Sequence, residues 1–415
     1  MNILIIGTNA LSHYLAEILA KESIVENVYH PNFNKPIKNN SFKYFYFPLN
    51  LENDDFKNFI FSKKIDLIIP TEHRYQLFKN FRMNIEDQKI PVLMPSFQIA
   101  LLEWSKIESK KFLQSLNIPT APCKIFTFEE LIDCFLKIPR PFVLKFDQDW
   151  RAGLQTKIVT DENVFDEFDV LKKEGQINYY GVNRYTKKQY FLIENFIKGK
   201  KEYSYHVLSN STGWIYLGSA RDYKKRFEND FGYNTSSCGS YAMVEDVDPR
   251  ITDYVNLILN KFKSEGTPYV GILYLGILID ENDNPIILEI NTRAGDPEFN
   301  CICPLINESI AKLLHDCATN KPLKPVSFSN KKSVSLRIIN KDYSLKYLRE
   351  KENNPPKLPL SSELSINFNK DRGLFYCVIT STDETIQQAS DNIYNFLKNK
   401  DMGNYTFRKD IGKLL

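Results

Sequence analysis

Apolar positions in the first seventy residues follow two periods in turn. "NILIIG" (2–7) is a continuous apolar run of strand length, and in "ALSHYLAEILAKE" the residues Leu11, Leu15, Ile18 and Leu19 recur at helical spacing. A strand feeding a helix predicts the opening of a doubly wound domain. "IDLIIP" running into "TEHRYQLFKNF", with "IPVLMP" as a further strand, extends it over residues 1–100. From about Pro95 the pattern changes. "ALLEWSKIESKKFLQSLNIPTA" reads as one amphipathic helix ended by Ile-Pro, "RPFVLKFD" as a strand carrying Lys145, and "YFLIENFIKGKKEYSYHVL" as strand-like. A polar loop, "RDYKKRFENDFGYNTSSCGSY", leads to the paired strands "YVGILYLGILID" and "NPIILEIN", joined by the turn "ENDN". After "TNKPLKP", the stretches "KKSVSLRII", "SELSINF" and "LFYCVIT" read as strands and "DETIQQASDNIYNFLKN" as a closing helix. The pattern therefore predicts α/β and α+β domains over residues 1–100, 101–322 and 323–415.

Composition narrows the class. A chain of 415 residues with 43% hydrophobic content suffices for two or three domains, since single cores stop growing at roughly 250 to 300 residues. The formal charge is +3 with lysines scattered among acids, so no basic stripe points to nucleic acid. Seven cysteines without a disulfide-like framework favour reduced thiols, and the five dispersed histidines offer no zinc spacing to pair with Cys301 and Cys303. The N-terminus lacks a basic n-region, and the longest apolar stretch, Val270 to Ile279, is about half the ~20 residues a membrane span requires. A cytoplasmic protein is expected. The first turn holds one glycine, Gly7, where a dinucleotide fingerprint needs three, so it reads as a plain strand-to-helix turn.

The most informative chemistry is in "LEINTRAGDPEFN" (288–300). In an extended chain, residues two apart share a face, so Glu289, Asn291 and Arg293 present two oxygen ligands and a fixed cation along one edge. That set suits a magnesium-bound polyphosphate. Lys106 and Lys145, read alone, are solvated surface lysines.

Taken in order, several stretches resemble the glycinamide ribonucleotide synthetases of the ATP-grasp family. "LEINTRAGDPEFN" is similar to the family's L-E-F-N-x-R-F-G-D-P-E, and "LLEWSK", "NIPTA", "FVLKFD", "GILYLGILI", "RDYKK" followed by "NT", and "FRKDIG" fall in the family's order. The resemblance implies an ATP-grasp fold with an N-terminal Rossmann-like domain, a small lid at about 122–195 and a C-terminal α+β domain. It implies ATP and Mg²⁺ (or Mn²⁺) as cofactors, with Lys106 and Lys145 as phosphate clamps and Glu289 and Asn291 as metal ligands. Glu194, Asn195, Phe196 and Ile197 would line the adenine, and Glu202 would accept from the ribose. Asp222, Asn234, Asp296 and Glu298 would contact substrate, with Arg293 on the carboxylate or the transferring phosphoryl group. The reaction implied is amide formation through an acyl phosphate, joining glycine or another carboxylate to an amine such as phosphoribosylamine, in a monomer or dimer.

Three loops depart from the family. The phosphate-covering loop reads "DQDWRAGLQTKIV", with Leu154 where a lysine is expected and Arg151 or Lys157 as substitutes. The first turn reads "TNALSHY", retaining only His13, and "NTSSCGS" replaces two glycines by Ser236 and Ser237. These changes keep open a ligase for a different carboxylate and amine, and a paralogue that binds nucleotide without turnover.

Overall fold

The structure, a computed structural model, describes residues 1–31, 44–47, 54–72, 81–82, 85–86, 89–147, 153, 155–176, 190–244, 248–343, 355–359, 361–369 and 373–413. At the N-terminus, β1 (Asn2–Ile6), β2 (Asn27–Pro31), β3 (Tyr44–Phe47) and β4 (Leu67–Pro70) form a parallel sheet in the order β3-β2-β1-β4. Ile3 to Ile6 are fully buried, as a strand covered on both faces must be. Helix α1 (Ala10–Leu19) follows, its first turn capped by Asn9, whose Oδ1 accepts from Ser12 N at 3.0 Å. "IPVLMP" is not a strand. Val92 makes a single parallel bridge to Ile68, and flanking Pro91 and Pro95 lack the N–H groups a longer ladder needs. Helix α2 (Asp54–Ser62) packs Phe56 and Ile60 into this unit.

The long helix expected after Pro95 is two. α3 (Phe97–Trp104) stops at Ser105, whose extended backbone (φ −107°, ψ 113°) turns the chain, and α4 (Lys106–Ser115) begins there. Ser105 Oγ caps the new helix by accepting from Glu108 N at 3.2 Å. Next come β5 (Cys123–Thr127), α5 (Phe128–Cys134), β6 (Phe142–Phe146), β7 (Thr156–Val159), α6 (Val164–Gln176) and β8 (Tyr190–Asn195). The strands form an antiparallel sheet, β5-β8-β6-β7, over a core that includes Leu131, Phe135, Phe142 and Leu144.

The rest of the chain builds one large sheet. Its strands are β9 (Gly199–Asn210), β10 (Gly213–Asp222), β13 (Gly239–Met243), β14 (Gly271–Asp280), β15 (Pro285–Asn291), β16 (Lys332–Asn340), β17 (Ser365–Phe368) and β18 (Phe375–Asp383), in the order β15-β14-β9-β10-β13-β16-β18-β17. β19 (Tyr405–Thr406) pairs with β16. The tail strands thus continue the central sheet through the β13–β16 pairing. The segment read as a polar loop also holds structure: β11 (Lys225–Phe227) and β12 (Phe231–Asn234) form a hairpin. Its exposed Phe231 and half-exposed Phe227 hide the period that would have announced it.

Both faces of the sheet are covered. α7 (Pro249–Ser264) sets Val255, Ile258 and Phe262 against Leu273, Leu275 and Ile277. On the opposite face, α8 (Glu298–Ile302) and α9 (Ile310–Ala318) set Ile302 and Leu314 against Leu208 and Leu217. α10 (Ile386–Leu397) buries Ala389, Ile393 and Leu397 against β16 and β18. Arg408, in the C-terminal signature, is buried and bonds Lys225 O (2.9 Å), Asp230 (2.9 Å) and Asp410 (2.6 Å), tying the tail to the hairpin.

Candidate active site

Four elements converge on an open cleft lined by Lys106, Lys110, Lys145, Glu194, Glu289 and Asn291. β15 supplies Glu289 and Asn291, two apart on one face as the sequence pattern required. The first turn of α4 supplies Lys106, whose Nζ lies 4.0 Å from Glu289 Oε2. Lys224, just beyond β10, approaches the same carboxylate at 3.7 Å and bonds Glu202 at 2.7 Å. Burial opposes ionisation of Glu289, but Lys224, Lys106 and Lys145 outweigh it and hold its carboxyl down to about 2. Its side chain is 34% exposed, so water screens part of that field.

The start of α4 is anchored from the β6 side. Asp147 Oδ1 accepts from Ile107 N and Ser105 Oγ, each at 3.2 Å, fixing Lys106 at the rim. Burial pushes Asp147 up to about 6, against the pull of those hydrogen bonds. On β6 and β8, Lys145 and Glu194 form a buried pair at 2.8 Å, and Lys110 stands 3.1 Å from the other carboxylate oxygen. Burial raises Glu194, yet the two lysines win and keep it below the usual carboxylate range. Burial and the charge of Lys145 depress Lys110 to about 8. After Asn195, exposed at the end of β8, the chain leaves the sheet: Phe196 is exposed and Ile197 half-buried before β9 begins. Backbone groups and an exposed ring that follow directly on the cleft-lining Glu194 suit a flat base.

Beyond Asn291 the chain turns. Arg293 Nε meets Glu103 Oε1 at 3.0 Å, and Glu103 Oε2 accepts from Thr292 N at 2.7 Å. Gly295 N donates to His206 Nε2 at 3.1 Å, and a Cβ at Gly295 would fall 2.9 Å from the Glu298 carboxylate and 3.0 Å from that imidazole nitrogen. Burial and Arg293 hold His206 down to about 3, so the ring is a neutral acceptor. Asp296 is engaged by Arg337 at 2.5 Å, whereas Glu298 is buried in the first turn of α8. Burial together with the Glu298 carboxylate raises Asp222, and burial raises Glu298 in turn.

The site residues named from sequence do not all meet. Lys106, Lys145, Glu194, Glu289 and Asn291 line the cleft, and Lys224 links Glu202 to it. Asn234 ends β12 on the hairpin, in register with Lys225. Lys157 is committed to Glu167 at 2.6 Å. His13 is fully buried against Asn367 (3.3 Å) and is not placed to meet a ligand. In the loop expected to cover phosphate, residues 148–152 and 154 lie outside the described residues. Gly153, at φ +84°, lies so close to the Thr235 backbone that a Cβ would come within 2.1 Å of it. Sequence reasoning passed over Lys110, Glu103 and His206. A signal existed only for the first, one helical turn from Lys106.

Residues 104–299 match the family described as phosphoribosylglycinamide synthetase, ATP-grasp (A) domain. That stretch is similar to the ATP-grasp domain of these synthetases. Over 349 residues it is 28% identical to a phosphoribosylamine–glycine ligase of Streptococcus suis, covering 79% of this chain and 80% of that one. A phosphoribosylamine–glycine ligase of Leptospira interrogans is 27% identical over 383 residues, covering 87% and 86%. The fold matches the crystal structure of a phosphoribosylamine–glycine ligase from Thermotoga maritima with a TM-score of 0.77, at 23% identity over 99% of this chain and 100% of that one. It also matches the biotin carboxylase domain of a Hydrogenobacter thermophilus 2-oxoglutarate carboxylase, in complex with MgADP, ADP and bicarbonate, with a TM-score of 0.70, at 16% identity over 98% and 91%.

The donor set of the cleft fits a magnesium ion. Glu289 is held ionised and Asn291 adds a neutral hard oxygen on the same strand face. Among the described residues no three His, Cys, Asp or Glu converge, so phosphate and water oxygens would complete the shell.

Proposed function

We propose that the protein is an ATP-dependent carboxylate–amine ligase that joins glycine to 5-phosphoribosylamine. The observation that carries this reading is the cleft in which lysines on separate elements surround an ionised Glu289, with Asn291 on the same strand. A polyphosphate would draw Lys106 from Glu289 and Lys145 from Glu194, exchanging internal ion pairs for phosphate contacts. Magnesium held by Glu289 and Asn291 supplies charge neutralisation of the phosphate tail when bound. Arg293, steadied by Glu103, then faces the carboxylate that accepts the γ-phosphoryl group. The amine displaces phosphate from the acyl phosphate and leaves an amide.

Such catalysis is positioning and charge neutralisation, and it needs no side-chain nucleophile. The buried Cys301 and Cys303 suit that account, since burial raises both thiols, Cys303 to about 12. The family match and the named relatives support the glycine and phosphoribosylamine pair. One observation favours a second reading, a different amine: the turn after β1 has its amides bonded to Glu72 and Asn369. Among the described residues no helix is long and apolar enough to cross a membrane.

ADP release across a panel of amino acids and amines tests the proposal. Turnover with glycine and phosphoribosylamine generated in place is expected. Turnover only with another pair would keep the ligase and reject this substrate assignment, and no turnover alongside ATP binding would leave a nucleotide-binding paralogue.

A further inference from the structure

α4 sets Lys106 and Lys110 one turn apart on one face, and the nucleotide reading accounts only for the first. Lys110 lies deeper. Its side chain is 5% exposed, and its ammonium donates to Thr120 Oγ1 (2.6 Å) and the Ala121 carbonyl (3.3 Å) while standing 3.1 Å from Glu194 Oε1. Thr120 is itself fixed, donating to Ile287 O at 2.7 Å on the strand that carries Glu289. Lys110 is therefore tethered to the frame. Lys145, on the other carboxylate oxygen at 2.8 Å, lines the cleft.

One buried carboxylate is thus shared by two ammoniums, leaving a single positive charge in excess. An uncompensated buried charge is costly, so the excess calls for an anion from outside. Without Lys110, Glu194 and Lys145 would neutralise each other, and drawing Lys145 onto a phosphate would strand a carboxylate that is 2% exposed. With Lys110 in place, Glu194 keeps a partner when Lys145 leaves. We infer that Lys110 is a positioning residue that frees Lys145 for the nucleotide, holding the Glu194 carboxylate so that the pocket carries one net positive charge for a phosphate. The inference rests on the ATP reading above.

Calorimetry with MgATP and with adenosine, on the full chain, tests it. Lys110→Gln should weaken MgATP roughly tenfold while leaving adenosine within about twofold, because only phosphate meets the altered charge. Lys110→Arg, which keeps the charge, should stay within about threefold of the parent. Adding Glu194→Gln to Lys110→Gln should restore most of the MgATP affinity, since Lys145 alone then carries the single positive charge. A merely structural lysine would not be rescued by removing its partner. A double variant as weak as Lys110→Gln would overturn the inference and leave the ATP reading standing, whereas a parent protein that fails to bind MgATP would overturn both. If Lys110→Gln does not fold, Glu194→Gln alone decides: MgATP affinity must rise, and a fall overturns the inference.

Discussion

The cleft proposed for nucleotide and the turn after β1 treat charge in opposite ways. In the cleft, cations outnumber the acids they touch: Lys106 and Lys224 approach Glu289, and Lys110 and Lys145 share Glu194. In the turn, three backbone donors are already bonded within the protein. Thr8 N donates to Glu72 Oε1 at 2.5 Å, Ala10 N to Asn369 Oδ1 at 3.1 Å, and Ser12 N to Asn9 Oδ1 at 3.0 Å. A helix start whose amides are free is an anion site, and one whose amides are engaged is a structural joint. The excess of cations in the first region suits a polyanion, and the bonds of the second hold α1 against the C-terminal strands.

Breaking the cleft should have the largest effect. Glu289→Ala removes the carboxylate proposed to meet magnesium and leaves Lys106 and Lys224 without it, so ATP turnover should fall by roughly a hundredfold or more. Titration of ADP release against Mg²⁺ measures the loss, and turnover that keeps its parental magnesium dependence would refute the metal assignment. Lys145→Ala should follow. It removes a charge-assisted contact of roughly 1.5 to 3 kcal/mol, a loss of ten- to a hundredfold in MgATP affinity by calorimetry. Affinity equal to that of the parent would take the lysine out of the phosphate site.

The same contrast explains what could be read without the fold. Glu289 and Asn291 were legible because strand period 2 forces them onto one face, and the β14–β15 hairpin because a polar turn separates two apolar runs. The break at Ser105 was hidden because Ser105 and Glu108 have a capping pattern inside a run of helix formers, and the partner that secures it, Asp147, lies forty residues away. His206 and Glu103 act through long-range contacts to Gly295 and Arg293, which no local spacing encodes. The surroundings of His13, retained from the family's first turn, were hidden for a related reason. Its environment is set by Asn367, more than three hundred residues later.

Stability at the α1 joint should depend on pH through Glu17. Asn367 Nδ2 donates to Glu17 Oε2 at 2.8 Å, and burial raises the carboxyl to about 7, against the pull of Lys21 and that hydrogen bond. The folded chain then holds this proton to higher pH than the unfolded chain does. Its contribution is fully present below about 4.5 and is lost as pH rises through about 7. Glu17→Gln keeps an acceptor for Asn367 without the charge, so it should stabilise the protein at pH 8 by about 1 to 3 kcal/mol and do little at pH 4. Thermal denaturation at the two pH values provides the measurement. A gain of equal size at both would show that the effect is not ionisation, and MgATP affinity should not move.

Asn369→Ala should have the smallest effect and separates the two regions most directly. The substitution removes the acceptor for Ala10 N in the first turn of α1, a loss comparable to that of a helix cap. Part of the cost is offset, because among the described residues the buried Asn369 Nδ2 has no hydrogen-bond partner and it leaves with the side chain. A net destabilisation of about 0.5 to 1 kcal/mol is expected by thermal denaturation, with MgATP affinity unchanged. The informative measurement is the amine dependence of ADP release. If the turn is only a structural joint, freeing Ala10 N leaves the KM for the amine where it was. A fall in that KM confined to phosphate-bearing amines would show that the freed amide meets the ligand, and the turn would then join the substrate site that its present hydrogen bonds place it outside.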